Sequence, residues 1–183
     1  MTDWSVLGTL RPEPALARLD LLASPVAAAL KGWDPAEAAQ VGVAEIDPAL
    51  ADTAEFCAAY GSPMDGSANC VVVAGRRGGE TRYAACLVLA STRADVNGVV
   101  RRRIDARKAS FAPMDDAVAL TGMDYGGITP IGLPAEWPVL VDAAVAAAAA
   151  VVIGSGIRGS KLILPGQFLA ELPGAEVVDD LGV

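Results

Sequence analysis

Two glycine-rich segments hold most of the residues in this 183-residue chain whose spacing could serve chemistry. Gly154-Ser155-Gly156-Ile157-Arg158-Gly159 spells G-x-G-x-x-G. That spacing cradles a pyrophosphate when it joins a strand to a helix N-terminus. Here residues 160–164 read as β and Pro165 follows at once, which argues against a dinucleotide site. A turn between strands, or a pocket rim whose backbone N–H groups face a ligand, remain as readings. Gly126-Gly127-Ile128-Thr129-Pro130-Ile131-Gly132 combines paired glycines with Thr and Pro. It is either a tight loop after a helix or a backbone path that lets a ligand approach closely. Asp115-Asp116 fall in the first turn of a helix, where the helix dipole is reason enough for them. Asp142 stands alone in an apolar stretch, and its plain reading is an N-cap for the Ala-rich segment that follows.

The residue types excluded are as informative. The chain has no histidine, so Ser-His-Asp and Cys-His pairs, imidazole acid–base work and His metal sites are all ruled out. Cys57, Cys70 and Cys86 are odd in number and lack C-x-x-C spacing. They read as buried reduced thiols in a reducing cytoplasm. No metal and no cofactor are expected. The net charge is −8, from 14 basic and 22 acidic residues. Between Arg76 and Lys108, however, nine basic residues face three acidic ones, a local +6 that leaves −14 for the remainder. This segment is either a solvated helix face or a phosphate-contacting edge, with Arg101, Arg102 and Arg103 as the candidates.

The elements that would position these residues follow from periodicity. Leu16, Leu19 and Leu22 are at helical spacing within residues 14–23, and Ser24-Pro25 reads as the N-cap of a helix to Lys31. Residues 41–46 read as a strand. Asp52-Thr53-Ala54-Glu55 has capping-box spacing for a helix ending at Gly61. Residues 69–74 form an apolar strand that turns at Arg77-Gly78-Gly79-Glu80 and returns over 82–90. Helices are expected over 95–104, 113–121, 143–147 and 166–172. Further strands are expected over 138–141, 149–153 and 161–164, with an edge strand at 176–178. Lys161, just past the second glycine loop, reads as a strand-surface lysine, with a source of positive charge as the other reading. The absence of a βαβ rhythm predicts one α/β (α+β) domain over residues 1–183, with a mixed, largely antiparallel sheet flanked by helices. The Met1-Thr2-Asp3-Trp4 start lacks a leader's basic residues, and the apolar run at 139–153 is too short for a membrane helix. Hydrophobic residues make up 53% and aromatics 5%, so the core is expected to be built from Val, Leu, Ile and Ala.

Residues 108–122, Lys-Ala-Ser-Phe-Ala-Pro-Met-Asp-Asp-Ala-Val-Ala-Leu-Thr-Gly, followed by G-G-I-T-P-I-G at 126–132, resemble the YbaK/EbsC family, relatives of the editing domain associated with prolyl-tRNA synthetases. The similarity runs from the Asn69 strand to the helix around Phe168, with Asp142 and the 154–159 loop at matching places.

The resemblance implies a trans-acting deacylase that hydrolyses the ester of a mischarged tRNA in the cytoplasm. Its partners would be the aminoacylated 3′ end of tRNA and an aminoacyl-tRNA synthetase, with no membrane. It implies that Gly126, Gly127 and Ile128, with Asn69, surround the reacting ester. Thr129, Pro130, Asp142, Gly154, Ser155 and Gly156 would shape the substrate pocket, and Arg101–Arg103 would meet tRNA. Asn69 stands where the family carries a lysine, so a binding module of the same fold that has lost catalysis is the alternative.

Overall fold

The computed structural model describes residues 5–183, so the Met1–Trp4 start on which the leader reading rests lies outside the described residues. Strand β1 (Glu13–Pro14) is followed by helices α1 (Ser24–Lys31) and α2 (Pro35–Ala38), strand β2 (Gly42–Glu45) and helix α3 (Thr53–Tyr60). The hairpin of β3 (Ala68–Arg77) and β4 (Glu80–Leu89) comes next. A π-helical turn, Val96–Val100, then runs into α4 (Arg101–Arg103). Beyond it lie β5 (Lys108–Phe111), α5 (Met114–Thr121), β6 (Val139–Asp142), α6 (Ala143–Ala146), β7 (Val151–Gly154), β8 (Ser160–Leu164), α7 (Gly166–Ala170) and β9 (Ala175–Val178).

Among the described residues these strands make two sheets. One is antiparallel throughout, in the order β1-β2-β8-β7. The other has the order β5-β3-β4-β6-β9, antiparallel from β5 to β4 and parallel from β4 to β9. The architecture is therefore α+β, with antiparallel and mixed sheets flanked by helices, and the strands divide between two sheets.

Side-chain alternation explains how the layers stack. Val43, Val151, Ile153, Leu162 and Leu164 of the first sheet share a buried cluster with Ala85, Leu87, Val139 and Val141 of the second, joined by Val26 and Leu30 of α1. Each such aliphatic side chain contributes about 1.5–3 kcal/mol on burial. The opposite face of the first sheet, through Ala44, Val152 and Ile163, packs on Phe56 of α3. The second sheet is also covered twice. Val73, Ala84, Cys86 and Leu140 meet Val96, Val100 and Ile104 on one side, while Val72 meets Ala117 of α5 and Trp137 on the other. No helix among the described residues is long and apolar enough to cross a membrane.

Several local expectations change. Residues 14–23 do not form one helix. They form two short 3-10 turns, Ala15–Ala17 and Leu19–Leu21, broken at Arg18, whose guanidinium is tied to Glu13 and Asp20. The Ala15 N–H bonds to Val41 O at 2.9 Å, which anchors the segment beside the start of β2. Helix α1 starts at Ser24 with Ala23 as its N-cap, so the Ser24 hydroxyl caps nothing. Asp52 sits at the N-cap of α3, but its carboxylate makes no bond to the helix and accepts instead from Arg158. Asp142 does cap α6, accepting from Ala144 N at 2.9 Å. The short edge strand β5 had no signal in the sequence reading.

Candidate functional site

The site begins as a gap in a sheet. Strand β5 pairs with β3 only over Val73–Arg76. Ala112 N then donates to Val72 O at 2.8 Å, and Pro113 leads the chain away into α5. On the other side of β3, Ser67 O accepts from Ala90 N, next to β4. Backbone groups alternate along an antiparallel strand, so the Cys70 N–H and C=O point to the same side as Val72 O, into the uncovered edge.

That edge opens on a cleft of about 290 Å³. One wall is the start of α3, with Asp52 and Thr53. The facing wall is the first glycine loop, with Gly126 and Ile128, and the floor brings Gly154 and Lys161. Phe111 and Tyr125 stand at the mouth, 61% and 54% exposed.

The two glycine loops are locked together behind the cleft. Gly156 N donates to Gly127 O at 2.7 Å, and Asp124 N donates to Gly156 O at 2.8 Å. The approach is so close that a Cβ on Gly127 would lie 2.6 Å from the Ile157 carbonyl carbon, and one on Gly154 would lie 2.4 Å from Gly127 O. Only glycine fits at either place. Arg158, from the same second loop, ties three segments. Its Nε donates to Pro48 O at 3.2 Å, and its Nη1 reaches Asp52 Oδ1 at 3.1 Å and Tyr125 O at 3.3 Å. The G-x-G-x-x-G spacing thus serves loop-to-loop packing, and a strand, β8, follows it.

Inside the cleft, Asn69 accepts from Thr53 Oγ1 at 2.6 Å, which leaves its amide NH₂ without a partner among the described residues. The Gly127 N–H is occupied by Asp124 O at 2.9 Å. The Gly126 and Ile128 N–H groups meet no acceptor among the described residues. The Cys70 thiol is pushed up by burial and, less, by Cys86, and the Cys86 thiol is pushed up by burial to about 12. Neither supplies a thiolate near neutral pH. Lys161 is 8% exposed and points its ammonium at Ala51 O, 2.8 Å away. It is no surface lysine, because α3 covers the face of β8 from which it projects.

Of the residues singled out from sequence, the structure brings Asn69, Gly126, Ile128 and Gly154 to the cleft. Gly127, Thr129, Pro130, Ser155 and Gly156 are buried behind it. Ser155 Oγ bonds Ser160 O at 3.1 Å. Thr129 Oγ1 is buried with no partner among the described residues. Asp142 does not line the cleft, and its second carboxylate oxygen accepts from Gly182 N at 2.8 Å. Arg101–Arg103 lie on the sheet face opposite α5 and the first glycine loop, and Arg103 pairs with Glu176. A second groove, about 340 Å³, lies at the tip of the β3–β4 hairpin and holds Arg76, Arg107 and Lys108. Sequence reading missed Thr53, Phe111, Tyr125, Arg158 and the buried setting of Lys161. The Arg76–Lys108 charge excess was a signal for the groove, and nothing local marked the others.

Residues 47–172 match the aminoacyl-tRNA editing domain family. No curated protein matches the chain. A crystal structure provisionally described as a trans-editing enzyme for prolyl tRNA synthetase superposes with a TM-score of 0.70 at 22% identity, covering 86% of this chain and 94% of that one. The structure of a hypothetical protein, APE2540, gives a TM-score of 0.71 at 21% identity, covering 84% and 99%. A scaffold from a computational epitope-grafting design gives 0.70 at 24% identity, covering 86% and 95%. These structures share the fold. The match over residues 47–172 places the chain in the aminoacyl-tRNA editing domain family.

Proposed function

We propose that this member of the aminoacyl-tRNA editing domain family hydrolyses the ester of a mischarged tRNA in trans, with the aminoacyl group held in the cleft beside β3. The observation that carries the reading is the pairing of an uncovered β3 edge with two unoccupied loop amides, Gly126 N–H and Ile128 N–H, across a cleft of about 290 Å³. Water adds to the ester carbonyl carbon, the bond to the ribose oxygen breaks, and the proton lost by water ends on that oxygen. The products are a free amino acid and a tRNA with its terminal hydroxyl restored. The loop amides donate to the carbonyl oxygen as it gains charge. With no histidine in the chain, the neighbouring ribose hydroxyl of the substrate relays the proton. The Asn69 NH₂ orients the ester. Gly127, Thr129, Pro130, Gly154, Ser155 and Gly156 hold the loops, and Asp142 holds β6 against the chain at Gly182.

The terminal base stacks at the mouth on Phe111 and Tyr125. The phosphate backbone then follows β5 to Arg76, Arg107 and Lys108, about 10 Å further along the strand at roughly 3.4 Å per residue. Arg101–Arg103, on the other face, make the lesser contribution. The reaction belongs in the cytoplasm, downstream of a synthetase.

Purified protein incubated with a panel of mischarged tRNAs tests the reading. Release of one class of amino acid above buffer supports it, and no release from any tRNA overturns it. Changing Arg76, Arg107 and Lys108 together to Glu should weaken tRNA binding and flatten its salt dependence more than the same change at Arg101–Arg103. Because Asn69 carries no charge, binding without turnover is the second reading. Stabilisation of the fold by a nonhydrolysable aminoacyl-adenosine amide, without hydrolysis of any tRNA, would select it.

A further inference from the structure

Lys161 is the only cation among the described residues that line the cleft. It sits on β8 between Ala44 of β2 and Gly154 of β7. An ammonium has three donors to satisfy. Here one is met, by Ala51 O at 2.8 Å, and the ammonium nitrogen itself lies over the Phe56 ring, 5.1 Å from its centre, a contact that steadies the charge and takes up none of the remaining N–H groups in a hydrogen bond to oxygen. No carboxylate pairs with it among the described residues. Asp52, on the same wall, is engaged by Arg158 at 3.1 Å. A buried charge with unspent donors is costly unless something meets it. Packing alone would be served by an apolar side chain in the same place. The groups facing Lys161 are Asp52 at the N-cap of α3, Cys57 within α3 and Arg158 from the second glycine loop. Burial and then Arg158 lower its pKa to about 8, against the opposing pull of Asp52 and Cys57.

We propose that Lys161 touches the substrate and donates its free N–H groups to the ester carbonyl oxygen, across the cleft from the Gly126 and Ile128 amides. The identity of that ligand rests on the deacylase reading. As water adds, the carbonyl π pair moves onto oxygen, and the ammonium holds that charge without giving up its proton. When the bond to the ribose oxygen breaks, the pair returns to form the acid's carbonyl, and the proton from water leaves with the ribose. Lys161 is therefore neither nucleophile nor general acid, and only its charged form works.

The test compares the wild type with Lys161→Met, which keeps an unbranched stem and removes the charge, and Lys161→Arg, which keeps the charge at every pH. Two readouts are taken from pH 6 to 9.5, each corrected for spontaneous ester hydrolysis: turnover of mischarged tRNA, and binding of the aminoacyl-adenosine amide. Wild-type turnover is expected to fall above about pH 8, and Lys161→Arg to remove that fall. Lys161→Met is expected to lose roughly 100-fold in kcat/KM, the usual loss on removing one donor to a developing oxyanion. Its binding of the amide is expected to weaken about tenfold. The amine of the probe also titrates in this range, so the difference between wild type and Lys161→Arg isolates the lysine. Turnover and binding within threefold of wild type in Lys161→Met, or no difference in pH profile from Lys161→Arg, overturns the assignment. If Lys161→Met fails to fold, the wild-type and Lys161→Arg profiles decide. Amide binding that needs Lys161, without turnover of any tRNA, overturns the deacylase reading and leaves Lys161 as a ligand contact. Neither binding nor turnover by wild type overturns both.

Discussion

Gly127→Ala and Gly154→Ala probe the seam between the two glycine loops. A Cβ on Gly127 would lie 2.6 Å from both the carbonyl carbon and oxygen of Ile157 and 2.9 Å from its nitrogen. A Cβ on Gly154 would lie 2.4 Å from Gly127 O. Every one of these neighbours is backbone, so no side chain can rotate away, and the loops must part by about 0.8–1 Å to reach ordinary contact. Parting stretches the 2.7 Å Gly156–Gly127 and 2.8 Å Asp124–Gly156 hydrogen bonds. Two bonds at about 1 kcal/mol each, plus about 1–2 kcal/mol of overpacking, give roughly 3–4 kcal/mol per substitution. For a domain of this size that lowers Tm by roughly 6–16 °C. Once one Cβ has parted the loops, the second enters space already made. The double variant should therefore cost about 2 kcal/mol less than the sum of the singles. Urea denaturation of the four proteins measures the cycle. Additivity within about 0.5 kcal/mol, or either single costing under about 1 kcal/mol, would refute the interlock.

The remaining expectations concern other groups of the site. Lys161 titrates lower in the folded chain, near 8, than the usual 10.5, so the unfolded chain binds more protons between those values and stability rises with pH across that window. About 2.5 kcal/mol of that gain should be in place by pH 10. The difference between wild type and Lys161→Met in urea melts at pH 7 and pH 10 should show it, and a flat difference would contradict it. Phe111→Ala and Tyr125→Ala should each weaken binding of a tRNA acceptor end by about 1–3 kcal/mol, read by filter binding, with little change in Tm because both rings are exposed. Thr129→Val removes a buried hydroxyl that has no partner among the described residues and should raise stability by about 1 kcal/mol. A large loss of turnover in that variant would instead put Thr129 in contact with substrate.

Much of the scaffold was legible because its signals are local. Gly122 ends α5, Asp142 caps α6, and the alternation of residues 41–46 makes β2. The site was less legible because its form depends on what is missing beside β3 and on which sheet faces are covered. Period-two alternation says that Lys161 and Ile163 share a face. It does not say that α3, about 100 residues earlier in the chain, buries that face. Arg101–Arg103 were read correctly as part of a helix, but the side of the sheet on which a helix docks is set by Val96, Val100 and Ile104 packing on Val73 and Leu140. Leu16, Leu19 and Leu22 had helical spacing, yet Arg18 leaves the helical region, at φ −129° and ψ 57°, and its ties to Glu13 and Asp20 outweighed that weak local preference.

The exposed backbone of β3 also bears on how the protein fails. An unpaired strand edge is a template for another chain. Here it is sunk between α3 and the first glycine loop, so a small ligand can enter while a flat incoming strand is blocked. The guard rests on one side chain: Arg158 joins both walls, through Pro48 O and Asp52 on one and Tyr125 O on the other. Loosening that guanidinium is expected to widen the slot and offer the β3 edge as a nucleus for aggregation. Occupancy of the cleft should therefore protect the protein in storage, with the onset of turbidity delayed in proportion to the fraction of sites filled.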